Sequence, residues 1–123
     1  MRIVNLTRKS LLVRKAEIAA SPWSKTKGLM FRSALAEGEG LLMEFGGETK
    51  PAIWMPFMRF ALDLVFIGAD RRIVEVMENV RPISRNPGTW KVYVPRKCCR
   101  WVLETKAGRI KATGTRIGDL LEF

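Results

Sequence analysis

The most apolar stretch of the chain, residues 53–76, constrains its fold more than any other feature. Its second half predicts two strands, 63–67 and 72–77, joined by Gly68-Ala69-Asp70-Arg71. A short Gly- and Asp-containing link between β-branched runs is hairpin chemistry. Strand side chains alternate, so Ile73 and Glu75 are expected on one face and Arg72, Val74 and Val76 on the other. One carboxylate, Asp63, is set among Phe60, Ala61, Leu62, Leu64, Val65 and Phe66.

Short strand-like segments recur on either side of this hairpin. Residues 2–6 read as an edge strand. Residues 11–19 read as one strand, with Leu12, Ala16 and Ile18 on one side and Leu11 and Val13 on the other. Residues 41–45 form a strand closed by Gly46-Gly47, and 53–55 form one cut off by Pro56. Residues 91–94, 101–105 and 120–123 complete the set. Ser21 followed by Pro22 is a helix start, because Ser supplies a capping oxygen and Pro suits the first helical position. That helix spans 23–27 and ends at Gly28, and a single turn over 109–113 closes at Gly114. The expected fold is mainly β: a single-domain antiparallel β-sandwich or small barrel over residues 1–123, with one or two short helices. No βαβ alternation is present, so a Rossmann-type site has no support.

Charge and composition limit the chemistry. Lys and Arg number 22 against 12 Asp and Glu, a formal charge of +10. Polyanions are the natural partners of such a surface. Histidine is absent, which removes the usual general base and the commonest zinc ligand. The only cysteines, Cys98 and Cys99, are adjacent, so no metal site or disulfide framework is expected, and no cofactor. One packed and one exposed thiol in a reduced, cytoplasmic protein is the simpler reading. The longest uninterrupted apolar run in the first 21 residues is three residues, so no signal peptide is read there. No window approaches the roughly 18 apolar residues of a spanning helix.

An ordered set of short motifs resembles a known family. It runs Gly28-Leu29-Met30-Phe31-Arg32, Gly40-Leu41-Leu42, Trp54-Met55, Leu62-Asp63-Leu64-Val65-Phe66-Ile67, Val102-Leu103-Glu104 with Ala107-Gly108, and Gly118-Asp119. In order and spacing this is similar to domain of unknown function 192, from about residue 11 to the end. The resemblance implies a compact single-domain β-fold of sandwich or barrel type without an established activity. Members include secreted bacterial and leaderless archaeal proteins, and this chain looks like the leaderless kind. It departs from the family after Trp54-Met55, where Pro56-Phe57-Met58 and Ala61 replace the usual Lys-Asn-Thr and a later Pro. That apolar replacement fits packing or a hydrophobic rim better than hydrogen-bonded catalysis.

Three functions are compatible with these residues. Arg32, Asp63 and Glu104 are charged residues inside or beside apolar motifs. Converging with Trp54 as an apolar wall, they would form the polar-aromatic pocket of a non-enzymatic module that binds a small ligand or a protein. Arg32 paired with Asp63 or Glu104 as a structural ion pair is the plainer alternative. The second reading is an RNA- or DNA-binding protein. Residues 79–100 hold no acid after Asn79 and carry Arg81, Arg85, Lys91, Arg96, Lys97 and Arg100, with Trp90 and Tyr93 among them. Cations would track phosphates and aromatics would stack on bases. The third is a hydrolase using Asp63 and Glu104 as a carboxylate pair. Trp54, Met55, Phe57, Met58 and Phe60 are further candidates for an apolar rim. Oligomeric state is not legible.

Overall fold

The computed structural model describes residues 1–21, 29, 32–55 and 57–123. The strands are β1 (Ile3–Asn5), β2 (Ser10–Val13), β3 (Lys15–Ala19), β4 (Glu39–Thr49), β5 (Ile53–Trp54), β6 (Leu62–Ile67), β7 (Ile73–Val80), β8 (Val92–Tyr93), β9 (Cys99–Lys106) and β10 (Leu121–Glu122). A 3-10 turn spans Pro87–Thr89, and one short helix, α1, spans Arg109–Thr113. The strands form a five-stranded sheet in the order β3-β4-β9-β6-β7, a three-stranded sheet β10-β1-β2 and a two-stranded ribbon β5-β8. The fold is thus mainly β, layered, and without a closed barrel among the described residues. Pairing is antiparallel throughout except between β3 and β4, which run parallel.

Burial explains the layering. All six residues of β6 are buried. Neighbours on a strand face opposite ways, so a strand with no exposed side must be central and covered twice. Leu62, Leu64 and Phe66 enter one core with Leu35, Met43, Ile53, Met55 and Val102. Val65 and Ile67 enter a second core with Ile3, Leu12, Trp101, Leu103, Ile110 and Leu121. The ribbon β5-β8 therefore covers one side of the large sheet (the ribbon face). The three-stranded sheet and α1 cover the other (the helix face). Each such Leu or Ile contributes roughly 1.5–3 kcal/mol of burial free energy.

The central hairpin is formed as expected: β6 pairs antiparallel with β7, and Gly68 and Arg72 close the turn through an N–H to carbonyl bond of 2.9 Å. The facing of β7 differs. A register shift next to the turn, between Phe66 and Ile67, puts Ile73 and Val76 together on the helix face, while Val74 and Met77 pack on the ribbon face. Such an extra residue is a β-bulge, which strict alternation cannot foresee.

Three other boundaries change. Residues 11–19 are two strands in different sheets, broken at Arg14, where the N–H groups of Arg14 and Lys15 both donate to Gly38 O at 2.8 and 3.2 Å. Ile18 consequently points outward, 53% exposed, while Ala19 is buried. β1 is the middle strand of its sheet, between β10 and β2, and not an edge. Gly46-Gly47 does not end β4, which continues to Thr49; instead its ladder with β9 is interrupted between Glu44 and Thr49. The positive φ of Gly46, 73°, suits that interruption. The helix expected over 23–27 lies outside the described residues.

Candidate functional site

Asp63 is fully buried on β6 and faces the helix side. Its Oδ1 accepts the N–H of Asn79 at 2.9 Å, and its Oδ2 accepts those of Gly108 and Ile110 at 3.0 Å each. It thereby caps the start of α1 and ties down the end of β7. Arg109 holds α1 from the other side, donating to Leu12 O at 2.8 Å and Leu11 O at 2.7 Å. The carboxylate is spent on backbone.

Glu104 has the opposite setting. It lies on β9 aligned with Leu41 of β4 and Leu64 of β6, both members of the ribbon-face core. Only 6% of the residue is accessible. No hydrogen bond or ion pair joins Glu104 to any described residue. Burial pushes its carboxyl up to about 7, because a charge without compensation is disfavoured in an apolar setting.

Register separates the two acids. Asp63 aligns with Thr105 and Leu64 with Glu104, so Asp63 and Glu104 stand on opposite faces of the large sheet. The carboxylate pair expected of a hydrolase is not assembled. Arg32 pairs with neither acid: its Nη2 donates to Glu17 Oε2 at 2.7 Å on the surface. That bond, and the guanidinium charge with it, lowers the Glu17 carboxyl below the usual range. Arg32 does share a face with Glu104. Glu17, Leu41, Glu104 and Leu64 are successive cross-strand partners in one row. Glu17 and Glu104 are therefore two strand spacings apart, roughly 10 Å.

A cleft of about 290 Å³ opens at the end of β6 and β9. Ser33, Ala34, Leu35, Phe60, Ala61, Lys106 and Ala107 line it. Lys106 follows Glu104 by two residues on the same strand, and so projects from the same face. The charge of Lys106 does not distinguish it among the many cations of the sequence; its place two residues after a buried acid is the signal that finds it.

Trp54 lies away from these groups. It is 58% exposed on the outer side of the ribbon, directly across from exposed Val92, while Ile53 and Tyr93 face the core. The four residues Arg32, Trp54, Asp63 and Glu104 thus do not meet in one pocket. Of the expected apolar rim, Met55 is buried, Met58 and Phe60 pack on the core, and Trp54 and Phe57 stand out.

The basic segment runs through β8, the other strand of that ribbon, which holds only its Val92 and Tyr93. Arg81, Arg85, Lys91 and Lys97 are exposed and have no ion pair among the described residues. Arg96 reaches Glu75 at 3.8 Å. Arg100 is engaged internally, with Glu44 at 3.2 Å and over the Trp101 ring at 5.0 Å. Tyr93 is half-buried against the core, so it is not a free stacking ring. Trp90 is 64% exposed and held in place, its Nε1–H donating to Ser84 O at 2.8 Å. Ser84, Asn86 and Thr89 bind one another around that loop. Cys98 is exposed and Cys99 buried. Burial pushes the Cys99 thiol up to about 11, which keeps it an unreactive thiol.

Among the described residues no three His, Cys, Asp or Glu side chains cluster as metal ligands. No described helix is long and apolar enough to cross a membrane.

The chain is similar to proteins from several organisms. An archaeal UPF0127 protein of Pyrococcus abyssi is 28% identical over 123 residues, covering 98% of this chain and 96% of that one. Another, from Thermococcus sibiricus, is 23% identical over 121 residues, covering 98% and 73%. Two crystal structures have the same fold. A protein of unknown function from Novosphingobium aromaticivorans aligns with TM-score 0.87 and 26% identity, over 100% of this chain and 84% of that one. A candidate transcription regulator from Sinorhizobium meliloti aligns with TM-score 0.85 and 32% identity, over 98% and 89%. The pattern of the DUF192 family, described as uncharacterized ACR, matches residues 3–123. With its motifs in order from end to end, the chain belongs to the DUF192 family.

Proposed function

We propose that the protein is a non-enzymatic, single-domain module that binds single-stranded nucleic acid on the outer side of the β5-β8 ribbon. The observation that carries this reading is that two indoles, Trp54 on β5 and Trp90 two residues ahead of its partner Val92, are exposed, as are Arg81, Arg85, Lys91, Arg96 and Lys97 of the segment through β8. Exposed indoles cost solubility unless a partner covers them. Bases do so by stacking, in any sequence, while cations follow the phosphates. The Nε1–H of Trp90 is already used by Ser84, so what it offers a partner is its ring. That favours a stacked base over a lipid headgroup, which would use the N–H. The Sinorhizobium relative is described as a candidate transcription regulator, which fits a nucleic-acid partner. The free thiols Cys98 and Cys99 fit a reducing, cytoplasmic setting.

Fluorescence anisotropy with a labelled oligouridylate tests the proposal. Neutralising about five phosphates gives a log–log slope against salt of roughly −3.5 on single strands. Anionic phosphatidylserine vesicles form the second arm. Absence of oligouridylate binding at low ionic strength overturns the reading, and binding to vesicles alone reassigns the surface to a membrane.

A further inference from the structure

We propose that the cleft at the end of β6 and β9 binds a small organic monocarboxylate with an apolar body, its carboxylate received by Lys106. The site uses none of the residues proposed to meet nucleic acid, so the two readings stand or fall separately.

Three segments remote in sequence build the cleft: Ser33-Ala34-Leu35, Phe60-Ala61 and Lys106-Ala107. The register of β6 on β9 brings two of them together, since Leu62 aligns with Lys106. Two of the walls are firm, because Leu35 is buried and Phe60 packs against the ribbon-face core. Ala61 and Ala107 add only a methyl group each. At about 290 Å³ the cleft is at the small end of ligand sites, whose usual range is roughly 300–1,000 Å³.

The lining is apolar apart from the Ser33 hydroxyl and Lys106, and it contains no acid. Lys106 is exposed and makes no ion pair with any described residue. The acids that flank the lining residues in sequence are otherwise engaged. Glu37 receives Arg109 Nη1 at 2.9 Å, and Asp63 is spent on the N–H groups of Asn79, Gly108 and Ile110. Burial pushes Glu104 up to about 7, so it is only partly ionised at neutral pH. Arg59, next to Phe60, is exposed and also has no ion pair among the described residues. The uncompensated charge around the cleft is therefore positive.

That combination selects a class of ligand. One lysine charge balances one carboxylate, and the apolar walls take a hydrocarbon body. An amine would meet a like charge. A phosphate monoester carries close to two negative charges and suits an arginine fork, and no arginine lines the cleft. Isocaproate and phenylacetate represent the class with a branched aliphatic and an aromatic body.

Backbone-amide NMR of the full chain tests the proposal, with isocaproate and phenylacetate titrated singly. The expected result is saturable shifts at Ser33, Leu35, Ala61, Lys106 and Ala107 with at least one of the two acids. The neutral amide of that acid should bind roughly fivefold more weakly, the scale of one partly exposed ion pair. Lys106→Met should cause a loss of similar size while its amide spectrum stays native-like, since the residue is exposed. Arg116→Met removes an exposed cation that does not line the cleft and should leave the affinity unchanged. Absence of saturable shifts with both acids overturns the proposal. Equal affinity for acid and amide, unchanged affinity in Lys106→Met, or an equal loss in Arg116→Met overturns it too.

Discussion

Two acids of the same sheet show how much a residue's surroundings decide. Asp63 accepts backbone donors from β7 and from the start of α1, so its removal strands N–H groups in the interior. Asp63→Ala is expected to destabilise the protein by about 3 kcal/mol or more, since each unsatisfied buried donor costs roughly 1–3 kcal/mol. Urea denaturation measures it. Glu104 is pushed up from 4.5 to about 7 because burial disfavours its charge. A raised carboxyl favours folding in its protonated form. Its contribution is whole below the unfolded value of 4.5 and is lost as pH rises through about 7. The loss is on the order of 3 kcal/mol, because a tenfold change in proton affinity is worth about 1.4 kcal/mol. Asp119 has the opposite sign. Burial alone would raise it, but hydrogen bonds from Asn5 at 2.9 Å, the Arg116 N–H at 2.9 Å and Arg8 at 3.1 Å outweigh that and lower it. Its contribution is present at neutral pH and lost in acid, as is that of Glu17. Stability should therefore peak in mildly acidic solution, and Glu104→Gln should flatten the fall toward neutral pH. Denaturation of both forms across that range checks this; an unchanged fall in the variant contradicts it.

At the level of elements, the junction between β2 and β3 depends on one backbone conformation. Gly38 has φ 81° and its carbonyl receives both Arg14 and Lys15. A Cβ added there meets Arg14 Cγ at 3.0 Å. Gly38→Ala is expected to cost about 1–2 kcal/mol, the penalty of a left-handed conformation for an L-residue, and a thermal melt reads it directly. Periodicity made β4, β6, β7, β9 and α1 legible in the sequence, because each carries its own apolar pattern and its own Gly or Pro punctuation. The facing of Asp63 against Glu104 was not legible. It is set by the register of β6 on β9, strands far apart in sequence, and a slip of one residue would reverse it. The break at Arg14 was hidden for a related reason. The residues around it continue the strand pattern, and only the distant Gly38 carbonyl makes the chain change sheets. Trp90 was legible as an aromatic in a basic segment, but its anchoring to Ser84 was not, since side-chain to backbone bonds within a loop leave no periodic trace.

For the whole molecule, the layered fold separates two surfaces with different chemistry. The cleft lined by Leu35, Phe60 and Lys106 opens at the end of β6 and β9, while Trp54 stands on the outer side of the ribbon and Trp90 and the exposed cations lie in the segment around β8. A formal charge of +10 attracts polyanions at long range, yet charge alone would bind any of them equally. In the reading proposed above, the indoles are what select single-stranded nucleic acid over other polyanions. The most direct measurement is an oligouridylate titration over a range of salt, comparing the native protein with the double variant Trp54→Ala/Trp90→Ala. Both rings are exposed, so the variant should keep its thermal stability to within about 1 kcal/mol. Stacking is worth roughly 1–3 kcal/mol per base, so affinity should fall at every salt concentration while the salt slope stays the same. Affinity unchanged by loss of both indoles, or no binding by the native protein, would contradict the account.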